Sequence, residues 1–253
     1  MRIRVLGCFG GEAPGFHHPS FLIDEELLLD AGSVTSSLSL EEQARIDHIL
    51  VTHAHINHTA GLAFLADNVF GCREKPVLVY SLQEVLKDLK DHLFNDILWP
   101  DFTRLPSPSS PTLEFMAIPE RVPFRIGDYT IRAVRVDHVV EAVGFFVERD
   151  GNALLYTGDT GPTDEVWRVA RSMQSLKAII TESSFPNRYK AVANASKHLT
   201  PDSLREELKK VDPRIPIYIY HVKPQFLKEI AEELQQVTNS PIQLMEEGRS
   251  YQV

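Results

Sequence analysis

Residues 52–58 read THAHINH and follow the apolar run DHILV. The run has the length and β-branched content of a buried strand, so the histidines stand at a strand end. His53 and His55 are two apart and can face the same side of an extended segment. His58 follows where the chain turns toward the helical pattern GLAFLADN, and can face elsewhere. Neutral imidazoles on a rigid strand end are natural ligands for zinc or a similar divalent ion. Asn57 sits among them, a neutral amide.

Working outward, the same arrangement recurs. His138 closes the strand pattern TIRAVRVDH, Asp159 follows NALLY in YTGDTG, and His221 closes IPIYIYH. Five histidines and a carboxylate exceed what one tetrahedral site requires. They suit two ions about 3.5–4 Å apart, with Asp159 and a hydroxide between them. A single histidine at a strand end is ordinarily a polar cap. The agreement of all these positions in structural context is what favours a metal centre.

The rest of the chain bounds the fold. Its 253 residues are 43% apolar and 24% charged, as in ordinary globular proteins. The net charge of −9 makes nucleic acid or anionic membrane a poor default partner. Two cysteines, Cys8 and Cys72, are too few for a disulfide framework and point to a reduced, cytoplasmic chain. The N-terminus MRIRVLGCFGG reads as a strand and turn, not a signal peptide, and no apolar run of about 18 residues suggests a membrane span.

Further strands are expected in SFLID, ELLLDAG, PVLVYS, AVGFFVER and LKAIITES. LQEVLKDLKDHLF has helical spacing, and helices are expected at 163–171, 201–210 and 224–235. Thr200 and Pro201 form a helix-start signature. Trp99–Thr112 is rich in Pro and Ser and is expected to be an ordered loop or insert. The order of elements implies an α/β fold with two sheets sandwiched between helices.

The series His53, His55, Asn57, His58, His138, Asp159 and His221 resembles the metallo-β-lactamase superfamily motif, which has an aspartate at the Asn57 place. The stretches HLFNDILWPDFTRLP, GDTGP, TESSFPN, HLTP and HVKP further resemble class II cyclic-nucleotide phosphodiesterases. The resemblance implies a four-layer αββα sandwich, two mixed sheets flanked by helices. It is taken to form a single metallo-hydrolase domain over 1–253, with an insert at about 81–112. It implies that His53, His55 and His138 hold one metal. Asn57, His58 and His221 would serve the other, with Asp159 bridging.

The implied reaction is hydrolysis of 3′,5′-cyclic AMP or GMP to the 5′-monophosphate by a metal-bound hydroxide. Two divalent ions are expected, zinc first, with manganese or iron as alternatives. His198 in KHLTP is the candidate general acid, oriented by Glu182 in TESSF. Asn95, Trp99, Phe102 and Phe185, together with Asp101, are candidates for the base pocket.

Asn57 cannot act as a base and is a weak ligand, so the second site is expected to be under-occupied and turnover reduced. Two alternatives stand beside the enzyme. One is a non-catalytic cyclic-nucleotide binder. The other is a transfer-RNA 3′-processing-type nuclease of the same fold, disfavoured by the acidic charge. A homodimer is left open. His17 and His18 are read as loop residues, and His48 as structural.

Overall fold

The structure is a computed structural model and describes residues 1–237 and 241–253. The first half runs β1 (Arg2–Gly7), β2 (Ser20–Ile23), β3 (Leu27–Leu29), α1 (Val34–Ser37), α2 (Leu40–Gln43), β4 (His48–Leu50), α3 (Ile56–Val69), β5 (Val77–Ser81), α4 (Gln83–His92), a ribbon of β6 (Pro106–Ser107) and β7 (Ser110–Pro111), and β8 (Leu113–Ala117). The second runs β9 (Phe124–Ile126), β10 (Tyr129–Arg135), β11 (Val143–Arg149), β12 (Asn152–Tyr156), α5 (Glu165–Ser172), β13 (Leu176–Glu182), α6 (Lys190–Ser196), α7 (Pro201–Leu208), β14 (Ile217–Tyr220), α8 (Leu227–Leu234), β15 (Ile242–Leu244) and β16 (Ser250–Gln252).

These strands form two large sheets, ordered β16-β1-β2-β3-β4-β5-β8 and β15-β14-β13-β12-β11-β10-β9. In each sheet the strands that come first in the chain pair antiparallel and the later ones parallel, with β16 returning antiparallel to β1. A parallel joint requires a crossover, and helices supply it: α3 links β4 to β5, and α5 links β12 to β13. The crossovers cover the outer faces, so the parallel strands are buried on both sides. Hence β13, LKAIITE, is a nearly continuous apolar run and not an alternating one. Two mixed sheets flanked by helices are the expected sandwich.

Two cores result. Between the sheets, Phe21 meets Tyr156 and Tyr220 edge-on at 5.4 and 5.5 Å. Such aromatic pairs add about 0.5–1.5 kcal/mol each beyond area burial. Outside the second sheet, Trp167 of α5 packs with Val134, Phe146, Leu155 and Ile179. Its indole N–H donates to the buried Glu207 carboxylate at 2.6 Å. The helix start at Thr200 is a capping box: Ser203 N–H donates to Thr200 Oγ1, and Thr200 N–H donates to Ser203 Oγ. The stretch expected as a helix over 224–235 opens as a 3₁₀ turn, Pro224–Phe226, before α8.

The fold brings the chemistry to one rim. Strands β3, β4, β12 and β14 end there, followed by Asp30, His53, Asp159 and His221, and β13 ends there on Glu182 itself. β10, which leads to His138, runs the same way as β12, because both are antiparallel to β11. Among the described residues, no helix is long and apolar enough to cross a membrane.

Candidate metal centre

Three ring nitrogens meet at the end of β4. His55 Nδ1 lies 3.1 Å from His53 Nε2 and 3.2 Å from His138 Nε2. A second group gathers around Asp159. Its carboxylate oxygens stand 3.3 Å from His58 Nε2, 3.1 Å from His221 Nε2 and 3.8 Å from His53 Nε2. Asp159 therefore stands between the two groups, as a bridging ligand would.

The opposite nitrogen of each buried ring decides what these atoms are. His138 Nδ1 faces the Lys197 carbonyl at 3.1 Å, which can only accept, so Nδ1 carries the proton. His58 Nδ1 faces the Asp30 carboxylate at 2.7 Å with the same consequence. Ser184 donates its hydroxyl proton to Glu182 at 2.5 Å and so accepts from His221 Nδ1 at 2.7 Å. Thr52 donates to Asp30 at 2.8 Å and accepts from His53 Nδ1 at 3.0 Å. With Nδ1 protonated in all four, Nε2 faces the centre; it offers a lone pair in neutral His53, His138 and His221, and in His58 once its second proton is displaced. His58 Nε2 is fully buried with no hydrogen-bond partner. Lone pairs and a carboxylate facing one another need a cation between them. At Zn–N distances of about 2.0–2.1 Å, tetrahedral neighbours lie about 3.3 Å apart, which matches the His53, His55 and His138 nitrogens. The donor set fits divalent metal ions.

The electrostatics agree. Burial holds His53 and His221 well below the usual histidine range, and lowers His138. Burial, with His138 beside it, brings His55 down to about 4. Neutral imidazole is the form that ligates. Burial would raise Asp159, but His221, His58 and His53 outweigh it and keep the carboxyl well below the usual range. Burial also opposes a charge on His58, yet Asp159 and Asp30 override it and push its pKa up to about 10.

Asp30 was not foreseen from the sequence. It is completely buried and accepts from His58, the Thr52 amide and hydroxyl, and the Tyr156 hydroxyl at 2.7–2.8 Å. The only signal was its place at the end of LLLDAG, beside β4. Tyr220 was also missed; its hydroxyl donates to Asp159 at 3.2 Å. Two backbone devices serve the site. His221 has φ +62°, and Lys197, whose carbonyl orients His138, has φ +52°. Such left-handed non-glycine residues cost about 1 kcal/mol or more and persist where contacts over-determine them. Gly10 lies flat against the His221 ring: a Cβ there would come within 2.8 Å of its ring atoms.

Asn57 reaches the second group. Its amide nitrogen is 2.9 Å from His221 Nε2, so it donates to the lone pair otherwise free for a cation. His198 stacks on His221 at 5.3 Å and its Nδ1 is 2.7 Å from Glu182. Glu182 is completely buried and accepts from the Thr160 and Leu199 amides at 2.9 and 3.2 Å. Burial works against a charge on His198, but Glu182 outweighs it and raises its pKa.

The base-pocket candidates divide. Phe185 packs 5.8 Å from His198, at the site. Phe102 is a correction: it is buried against Phe70 in the core, where aromatic area is most favourable. Asn95 closes its own turn, donating to Asp91 O and accepting from the Ile97 and Leu98 amides. Asp101 is taken up by Lys90, Thr103 and Arg104. Trp99 lies edge-on to Phe64 of α3 at 5.3 Å. His48 bonds the Tyr80 hydroxyl at 3.2 Å. His18 is less peripheral than expected; its Cβ and the Asn57 carbonyl both crowd Gly32.

Comparison with known proteins accords with this geometry. A probable 3′,5′-cyclic-nucleotide phosphodiesterase of Yersinia pestis is 27% identical, over 99% of this chain and 88% of its own. A ribonuclease Z of Metallosphaera sedula is 29% identical, over 71% of this chain and 60% of its own. The crystal structure of unliganded yeast PDE1 superposes with a TM-score of 0.82 at 18% identity, covering 98% of both chains. The family model described as the beta-lactamase superfamily domain matches residues 27–221. The chain belongs to that superfamily, a family of metal-dependent hydrolases that share this two-sheet sandwich.

Proposed function

We propose that this chain hydrolyses 3′,5′-cyclic nucleotides to 5′-monophosphates. The observation that carries the reading is the buried Glu182–His198 pair, 2.7 Å apart, set beside Asp159 and faced by Phe185. When bound, the ions would supply Lewis acidity at the phosphoryl group and lower the pKa of water. His53, His55 and His138 are the proposed ligands of one; His58, His221 and Asp159, with Asn57 beside them, of the other.

The chain's own residues supply proton management. Glu182 is fixed by two backbone amides and by Ser184, and takes the Nδ1 proton of His198 as a hydrogen bond. That leaves Nε2–H of the charged ring to protonate the departing ribose O3′, a contribution of about 10²–10⁴ in rate. Phe185 offers a flat apolar face for the base. Asn57, being neutral, cannot take a proton from the attacking water, so activation falls to the remaining groups.

The test is conversion of cyclic AMP and cyclic GMP by purified protein supplied with zinc and then manganese, with the products separated. Formation of 5′-monophosphate that chelation abolishes is the expected result. Saturable binding without product would select a binder, with Asn57 as the cause. The ribonuclease Z relative supports a second reading, and cleavage of precursor transfer RNA with a steep salt dependence would select it.

A further inference from the structure

We infer that Lys223 is a substrate-reading cation of this site, taking a non-bridging phosphoryl oxygen and so selecting anionic phosphate esters over neutral ones. The inference rests on the phosphodiester-hydrolase reading above.

Lys223 lies two residues past His221. Between them, Val222 is buried and its carbonyl accepts from the Gly10 amide at 3.1 Å, which ties this turn to the N-terminal loop. The Lys223 ammonium lies between Gly10 and Phe185. It is 3.4 Å from the Gly10 carbonyl and 5.1 Å from the centre of the Phe185 ring. Gly10 packs on the His221 ring, and Phe185 packs on His198, so both are walls of the metal centre.

Among the described residues, no carboxylate lies within 4.0 Å of the Lys223 ammonium, although the chain carries 35 acidic side chains against 26 Lys and Arg. Its neighbours are a carbonyl and an aromatic face, which place the ammonium without neutralising it. A cation kept unpaired beside neutral ligands has an anion as its natural partner. Lysine suits a phosphoryl group as a compact charge with rotatable donors. Phosphodiester hydrolysis gathers additional negative charge on the phosphoryl oxygens as the nucleophile arrives, so a cation here would be worth most at that moment. A neutral ester carries no charge for it to read.

The experiment compares wild type, Lys223→Met and Lys223→Arg as manganese-loaded proteins, with metal content measured in each. Inorganic phosphate is titrated calorimetrically. The ratio of kcat/KM for bis(4-nitrophenyl) phosphate to that for 4-nitrophenyl acetate is determined. We expect Lys223→Met to weaken phosphate binding and lower that ratio by about tenfold to a hundredfold, the usual size of a charge-assisted contact. Lys223→Arg should recover most of both, and metal content should be the same in all three. Phosphate affinity unchanged in Lys223→Met, no phosphate affinity in the wild type, or equal loss on both substrates would overturn the inference. Cyclic nucleotides are not used here. Their failure to turn over would remove the substrate reading and leave Lys223 judged by phosphate alone.

Discussion

Asp30 and His58 are joined at 2.7 Å where neither side chain has any solvent exposure. Asp30 also holds Thr52 and Tyr156, so one carboxylate orients His58 directly and His53 through Thr52. Asp30→Ala should therefore cost about 3–5 kcal/mol, because it strands a buried imidazole and two hydroxyls. Outer partners of this kind are worth about 10–100-fold in metal affinity. Thermal melting with and without metal, together with metal analysis, checks both. A variant that melts like wild type and keeps its metal would refute the assignment.

His58 predicts how metal uptake depends on pH. Its pKa of about 10 means that a proton occupies the ring at neutral pH, and a cation must displace it. Metal affinity should rise with pH through the neutral and mildly alkaline range. Calorimetry in buffers of different ionisation enthalpy should show close to one proton released per ion at the second site. Buffer-independent heats would show that no proton is displaced.

Asn57→Asp should raise occupancy of the second site and turnover. The amide now donates to His221 Nε2, whereas a carboxylate can only accept and adds a negative ligand. Metal stoichiometry after dialysis and kcat under saturating metal are the readouts. Equal values in the two proteins would mean that position 57 has no ligand role.

Glu182→Gln should lower kcat by about 10²–10⁴ with metal content retained at the first site. The sign of its pH effect follows from the environment. Glu182 overcomes burial and raises the His198 pKa, so the charged acid persists above the ordinary histidine range. Without that carboxylate, Asp159 alone is left to oppose burial and the pKa falls. The alkaline limb of the pH–rate profile should then move to lower pH. A profile unchanged in shape would assign the limb to another group.

Much of this was legible in the sequence. The candidate ligand positions could be read because each follows a short β-branched run, and strand ends are rigid places where metal ligands gather. The sandwich could be read because helical patterns alternate with strands that are apolar on both faces. β9 and β15 escaped, since three residues such as Phe124–Ile126 give no period to detect. β8, LEFMA, escaped because its partly exposed edge position leaves a mixed pattern. Asp30 escaped for a different reason. A buried carboxylate is recognised by what surrounds it, and Thr52 and His58 come from one other segment and Tyr156 from another. Phe102 misled because an aromatic in a Pro-rich loop looks available, and only packing shows that it is consumed.

Glu182 touches both halves of the chemistry, His198 directly and His221 through the Ser184 hydroxyl. The two histidines are therefore not independent parts. A lineage that retuned the proposed acid would disturb the candidate ligand His221 in the same step, and mutations at 182, 184, 198 and 221 should drift as a linked set. An engineer who wants to adjust one without the other must first cut the tie at Ser184.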